Sequence, residues 1–74
     1  MKTKIRELRK KKRISQDELA KAVHVTRHTI MAIENEKFIA SLPLAYKISK
    51  FFGLSIEEVF DLTDMESEID YDIF

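Results

Sequence analysis

Apolar residues recur at helical spacing over the first sixty positions of the chain, and this pattern predicts helices rather than strands. Ile5 and Leu8 lie three positions apart and predict a first helix over Lys2–Lys12, whose remaining faces are basic. A second helix has its apolar face formed by Leu19, Ala20 and Val23. In a third helix, Ile30 and Ile33 face the core, which leaves Arg27, His28 and Met31 on the opposite face.

Helix-capping residues set the boundaries of these segments. Ser15 followed by Glu18 has the spacing of a capping box, so the second helix should begin at Gln16. Thr26 is a second N-cap candidate and should begin a third helix that runs from Arg27 to about Asn35. Two caps this close together leave room for only a tight turn. The stretch from Ser15 to Asn35 therefore predicts a helix-turn-helix.

Two further helices complete the predicted body. Ser41, with Pro43 in the first turn, begins the fourth helix, and Gly53 suits its C-terminal cap. Ser55 and Glu58 form another capping box, which begins a fifth helix reaching Phe60. We therefore divide the chain into a body over residues 1–60 and a tail over residues 61–74.

The tail has three open interpretations. Ile69, Tyr71 and Ile73 alternate with acidic residues, which is strand periodicity over a very short run. The tail is then a disordered acidic terminus, a strand or packed arm that pairs across a dimer, or a segment that docks a protein partner.

Composition narrows the class of protein. With 74 residues the chain can hold one domain. Its core is small, so we expect a homodimer to add to its stability. The absence of cysteine excludes a disulfide framework and a thiolate metal site. The sequence has no apolar run long enough to span a membrane and no secretory signal, so we expect a cytoplasmic protein.

The zero net charge hides a strong asymmetry. All 13 Lys and Arg residues lie before position 51, whereas six acidic residues and no basic residue follow Phe60. Such a distribution indicates a body that faces nucleic acid and an acidic tail.

The stretch ISQDELAKAVHVTRHTIMAIENE resembles the phage-repressor (Cro-like, XRE-type) helix-turn-helix family, whose pattern is roughly LSQ-x-ELA-x-x-x-GVS-R-x-T-I-x-x-IENG. The resemblance continues through IASLPLAYKISKFFGLSIEEVF to Phe60 and covers roughly four-fifths of the chain. It implies an all-α, five-helix, lambda-repressor-like DNA-binding domain with a short acidic tail.

The resemblance and the docking of such motifs imply roles for particular residues. The second helix of the motif places its N-terminal residues against base edges in the major groove of double-stranded DNA. We expect base contacts from the outward face of this helix, formed by Thr26, Arg27, His28, Met31 and Ala32. A buried position for Met31 on a slightly rotated helix stays open. The expected phosphate contacts are Gln16, Thr29, Asn35, Lys37 and Arg9. Gln16 lies at a helix N-terminus, which favours an anion, and the family implies its role as a phosphate clamp and places the end of the first helix, with Arg9, near the DNA backbone.

Two positions depart from the family pattern. His24 and Glu36 stand where the family usually has glycine, because the family's backbone tends to be left-handed at both positions. We expect histidine to tolerate this conformation. At the second position we expect either that Asn35 takes the left-handed cap or that the loop differs.

The predicted function is that of a transcriptional regulator, most simply a repressor that binds a palindromic operator as a homodimer. The alternative is an antitoxin whose tail binds a toxin while the body regulates its own operon. We expect no enzyme, because there is no glycine-rich phosphate loop and no cysteine nucleophile. We also expect no cofactor and no metal, since the turn between His24 and His28 keeps the two rings from converging.

Overall fold

The computed structural model describes residues 1–73, and within them five α-helices enclose one core. The helices are α1 (Ile5–Lys12), α2 (Gln16–Ala22), α3 (Arg27–Glu34), α4 (Leu42–Phe51) and α5 (Ile56–Val59). Two short strands, β1 (Lys2–Thr3) and β2 (Phe60–Asp61), and a 3₁₀ helix over Thr63–Glu68 complete the chain. The predicted five-helix fold is confirmed, with a small sheet added to it. Phe74, the last residue of the predicted tail, lies outside the described residues.

Side-chain caps begin four of the helices where the sequence predicts them. Ser15 accepts a hydrogen bond from the Glu18 amide at 3.0 Å, and the Glu18 carboxylate accepts one from the Ser15 amide at 3.0 Å. A second capping box begins α5, while Thr26 and Ser41 cap α3 and α4. These bonds satisfy amide groups that have no partner inside the helix.

The two strands join the ends of the body. Lys2 pairs with Asp61 and Thr3 with Phe60 in an antiparallel ladder, and the Lys4 amide donates to the Val59 carbonyl at 2.8 Å. The predictions of a helix from Lys2 and of a fifth helix reaching Phe60 were therefore wrong. Segments of two residues carry no readable periodicity, and their pairing depends on a partner some sixty positions away.

The core lies between the helices and the small sheet. Its fully buried large side chains include Ile5 of α1, Leu19 of α2 and Phe60 of β2. Ile30 and Ile33 are also buried, which confirms that this face of α3 points inward. Phe60 is thus buried, and it belongs to a strand and not to the predicted fifth helix.

The predicted tail begins as part of the folded body. Asp61 accepts hydrogen bonds from the amide and hydroxyl of Thr63, at 3.0 and 2.6 Å, at the start of the 3₁₀ helix. The amino group of Met1 lies 3.4 Å from the Asp64 carboxylate. Residues 69–73 are exposed, and no strand forms within that part of the described chain.

Three residues other than glycine adopt the left-handed conformation, and two of them border α3. His24 has φ 62°, as expected for the turn between α2 and α3. Glu36 has φ 61°, whereas Asn35 has φ −86°. The expectation that Asn35 would take the left-handed cap or that the loop would differ was therefore wrong, because Glu36 itself takes the conformation that glycine favours. Arg13, after α1, is the third such residue, with φ 57°.

Within residues 1–73, no helix is both long enough and apolar enough to cross a membrane.

Candidate nucleic-acid interface

The helix-turn-helix is formed by α2, a turn over residues 23–26, and α3. The amide of His24 donates to the Lys21 carbonyl at 3.3 Å, and the amide of Val25 donates to the Ala20 carbonyl at 2.9 Å. These bonds end α2 and redirect the chain into the Thr26 cap. Buried residues on the facing sides of α2 and α3 then hold the two helices together.

The outward face of α3 carries the predicted base-reading residues. Arg27 and His28 are exposed, while Met31 and Ala32 are partly buried. Met31 is not among the partly buried apolar residues that pack against the core of the described chain. The Thr26 hydroxyl accepts the Thr29 amide at 3.3 Å and lies 3.1 Å from the Thr29 hydroxyl. The hydroxyls of Thr26 and Thr29 are thus both engaged at the start of α3.

Glu34 is a charged residue on the inward side of α3, and its side chain is fully buried. Its carboxylate accepts two hydrogen bonds from the Arg9 guanidinium, at 2.6 and 3.1 Å. It also accepts one from the side-chain amide of Gln16 at 3.1 Å and one from the Arg6 guanidinium at 3.4 Å. We call these four residues the Glu34 cluster. It joins α1, α2 and α3 through one carboxylate.

The charge state of the cluster follows from these contacts. Burial of the Glu34 carboxylate raises its pKa, but the hydrogen bonds from Arg9, Gln16 and Arg6 and the attraction to the Arg9 charge outweigh burial. The net pKa of Glu34 lies below its ordinary value. Hydrogen bonding to Glu34 also raises the pKa of Arg9. Both groups are therefore ionised, and they form a buried ion pair.

Two of the predicted phosphate contacts are members of this cluster. Arg9 has only 12% of its side chain exposed, and it also donates to the Ile14 carbonyl at 3.0 Å. Gln16 is partly buried and its amide nitrogen is bonded to Glu34. The geometry gives both side chains a role in holding the motif together, and their contacts with phosphate stay predictions.

The sequence analysis missed the Glu34 cluster, although one signal was present. Glu34 lies four residues after Ile30 and one after Ile33, so it falls on the buried face of α3. A carboxylate at such a position requires a charged and hydrogen-bonding partner. The partners could not be identified from spacing, because Arg9 and Gln16 lie on other helices.

The remaining predicted phosphate contacts lie at the two ends of α3. Asn35 and Lys37 are exposed, and the side-chain oxygen of Asn35 accepts a hydrogen bond from Arg6 at 2.8 Å. Glu36 lies between them and adds an exposed negative charge. The C-terminal half of α1 contributes further exposed basic residues, which are Lys10, Lys11, Lys12 and, just beyond it, Arg13.

A cleft of about 520 Å³ in the described part of the chain is lined mainly by α5, β2 and the segment that follows them, and α3 does not contribute to it. Within residues 1–73, no group of His, Asp or Glu side chains is arranged to hold a metal ion.

Comparison with known proteins agrees with this geometry. A family model described as a helix-turn-helix domain matches residues 3–65. An uncharacterised HTH-type transcriptional regulator of Methanocaldococcus jannaschii is 47% identical over 66 residues, which is 89% of this chain and 100% of that protein. A second one, from Archaeoglobus fulgidus, is 48% identical over 89% of this chain and 94% of that protein.

A more distant relative has a named activity. The cryptic phage CTXphi transcriptional repressor RstR of Vibrio cholerae is 34% identical over 68 residues. The match covers 92% of this chain and 60% of that repressor.

Proposed function

Because the chain belongs to the helix-turn-helix family of DNA-binding transcriptional regulators, we propose that it is a repressor that binds a palindromic operator as a homodimer. Each copy places α3 in the major groove of double-stranded DNA. Membership of this family favours a regulator over an enzyme. The similarity to the phage repressor RstR supports the choice of repressor over activator.

The observation that carries this proposal is the division of α3 into two faces. Ile30, Ile33 and Glu34 are buried and fix the rotation of the helix. Arg27 and His28 are left exposed, and neither side chain is hydrogen-bonded within residues 1–73. A rigidly oriented helix with exposed donors at its N-terminal end is what major-groove docking requires.

Arg27 and His28 have distinct capacities in such a groove. The Arg27 guanidinium can donate two parallel hydrogen bonds to guanine O6 and N7, worth about 1–3 kcal/mol of discrimination. His28 can donate or accept. Thr26 and Ala32 present methyl groups that suit contact with the thymine methyl, and Met31 adds an apolar side chain.

Phosphate contacts complete the interface. Lys37 lies three residues beyond the end of α3, and its exposed charge can neutralise a phosphate. The side-chain amide of Asn35 can donate a hydrogen bond to a phosphate. Thr29, Gln16 and Arg9 are further contacts in this proposal. Gln16 and Arg9 would have to contact phosphate while they remain bonded to Glu34.

Arg27→Ala tests the base-reading face, with Lys4→Ala as the matched control. Both changes remove one exposed positive charge, from α3 and from the residue before α1 respectively. We expect Arg27→Ala to reduce the ratio of specific to nonspecific affinity by about tenfold or more, at fixed salt and unchanged melting temperature. Lys4→Ala should leave that ratio unchanged. An Arg27→Ala variant with wild-type specificity would overturn the base-reading role.

A second candidate function is that of an antitoxin, and the exposed tail favours it. The apolar side chains of Ile69, Tyr71 and Ile73 are available to a protein partner. Copurification of a stoichiometric second protein in its natural host would support this candidate.

A further inference from the structure

An apolar patch lies on the loop before α4 and on the first turns of that helix. It consists of Phe38, Ile39, Leu42 and Tyr46, whose exposed fractions range from 42% to 73%. Leu42 and Tyr46 are four residues apart and therefore lie on the same side of α4. Single exposed apolar side chains are ordinary, but four of them within nine positions of the chain indicate an interaction surface.

The tail segment, defined as residues 69–73, offers matching chemistry. Ile69, Tyr71 and Ile73 are 51% to 74% exposed, and Asp70 and Asp72 alternate with them. The segment bends back on itself through a hydrogen bond from the Asp72 amide to the Asp70 carboxylate at 3.0 Å. Neither the tail segment nor the apolar patch is covered by the other in the single chain.

The overall shape is consistent with a protruding segment. The molecule measures 46 × 22 × 18 Å and has a radius of gyration of 13.4 Å. A compact domain of this length would have a radius of gyration of about 11 Å. The chain thus carries surface that it does not fold against itself.

The charges of the two surfaces are complementary. Lys47 and Lys50 lie on α4 beside the apolar patch, and the Lys50 ammonium is 5.5 Å from the centre of the Tyr46 ring. The tail segment carries Asp70 and Asp72 between its apolar side chains. Docking the segment on the patch would bring the carboxylates towards the ammonium groups, which favours this pairing over patch on patch or tail on tail.

We propose that the tail segment of one copy packs on the apolar patch of a second copy, and the reverse, in a symmetric dimer. A fully exposed side chain of this size presents about 200 Å², and the seven apolar side chains are 42% to 74% exposed, so the patch and the segment together expose roughly 800 Å² of surface per copy. A stable interface of standard size buries about 800 Å² per partner. Either surface alone would supply only half of this area. The exchange of tails is therefore the arrangement that reaches the size a stable dimer needs.

This inference specifies the dimer of the proposed function, but its test does not need DNA. Sedimentation velocity over a range of concentrations would compare the full chain with a tail variant, Tyr71→Ser with Ile73→Ser, and a patch variant, Leu42→Ser with Tyr46→Ser. All four side chains are exposed, so the fold should persist, and circular dichroism checks this. The control, Lys10→Ser with Lys11→Ser, changes exposed residues on α1.

Tail exchange predicts that each variant alone dissociates with a dimer Kd raised about tenfold or more, while the control does not. A mixture of the two variants should form heterodimers that are tighter than the dimers of either variant alone and weaker than those of the full chain, because one of the two tail–patch contacts is then intact. Charge reversal gives an independent readout: Asp70→Lys with Asp72→Lys should weaken the dimer, and adding Lys47→Glu with Lys50→Glu should restore it.

Other outcomes would overturn the proposal. A tail variant that dimerises like the full chain would assign the interface to the patch alone or to another face. If the full chain stays monomeric at all concentrations, the tail does not bind a second copy, and its partner is a different protein or the body of its own chain. Binding to a duplex with a single half-site separates the two proposals, since the tail variant should keep that affinity even when the dimer is lost.

Discussion

Replacement of Arg9 by methionine should destabilise the protein far more than the loss of an ordinary surface charge. The change keeps most of the aliphatic stem but removes both hydrogen bonds to the buried Glu34 carboxylate, at 2.6 and 3.1 Å, and the one to the Ile14 carbonyl. Glu34 then remains buried, with Gln16 and the more distant Arg6 as its partners.

The magnitude follows from the geometry of the pair. Removing one member of a buried ion pair costs about 3–5 kcal/mol, and the two remaining partners of Glu34 place the loss near 3 kcal/mol. A domain of this length is stable by roughly 4–11 kcal/mol, so the change removes a large share of the total. The melting temperature should fall by about 12–24 °C, at 4–8 °C for each kcal/mol.

The assay is denaturant and thermal unfolding followed by far-ultraviolet circular dichroism at neutral pH. Lys21→Met is the matched control, because Lys21 forms an exposed pair with Asp17 at 3.1 Å. Loss of that pair should cost less than about 0.5 kcal/mol. If Arg9→Met costs less than about 1 kcal/mol, the Glu34 cluster contributes no more than a surface pair and the reasoning is refuted.

The same variant tests the predicted phosphate contact of Arg9. If Arg9 acts only within the Glu34 cluster, the salt dependence of DNA binding should be unchanged well below the melting temperature. If Arg9 also neutralises a phosphate, the slope of log K against log salt concentration should decrease by about one.

Three further predictions concern stability. The pKa of Glu34 is lower in the folded protein than its ordinary value of 4.5, so the stability that it contributes is present above that pH and is lost as the pH falls through the folded pKa. In an acid titration, the free energy of unfolding should therefore fall less steeply with decreasing pH for Glu34→Gln than for the natural sequence. Equal slopes would argue against the ionised cluster. Glu36→Gly should raise the free energy of unfolding by about 1 kcal/mol, because Glu36 has φ 61° and glycine adopts this conformation without strain. Glu36→Gln keeps the Cβ atom and should not raise it. Equal effects of the two changes would assign the gain to the lost charge. Ser49→Ala should raise the free energy of unfolding by about 1–2 kcal/mol, since the buried Ser49 hydroxyl has no hydrogen-bond partner within residues 1–73. A lower free energy of unfolding would show that the hydroxyl stabilises the fold.

The features predicted correctly from the sequence are those that depend on residues near one another in the chain. The capping pairs Ser15–Glu18 and Ser55–Glu58 act over three residues, and the buried pair Ile30 and Ile33 lies within one turn. The left-handed conformation of His24 was also predictable, because the turn requires it. These local features were enough to predict the motif and the orientation of α3.

The missed features depend on residues far apart. The pairing of Thr3 with Phe60 joins two segments that are too short to show any pattern. The cluster around Glu34 combines side chains from three helices, so only its buried carboxylate could have been noticed in advance. Local spacing identifies a surface but not the side chains that hold it rigid.

Selection of binding sites from a pool of random duplex DNA tests the central claim most directly. We predict enrichment of one inverted repeat with half-site centres about 34 Å apart, or a whole number of helical turns apart, since α3 of each copy should enter the major groove. The Arg27→Ala variant selected in parallel should lose the preference at the bases that this side chain contacts. Recovery of unenriched sequences by the intact chain, at low salt and with the fold verified, would contradict the account.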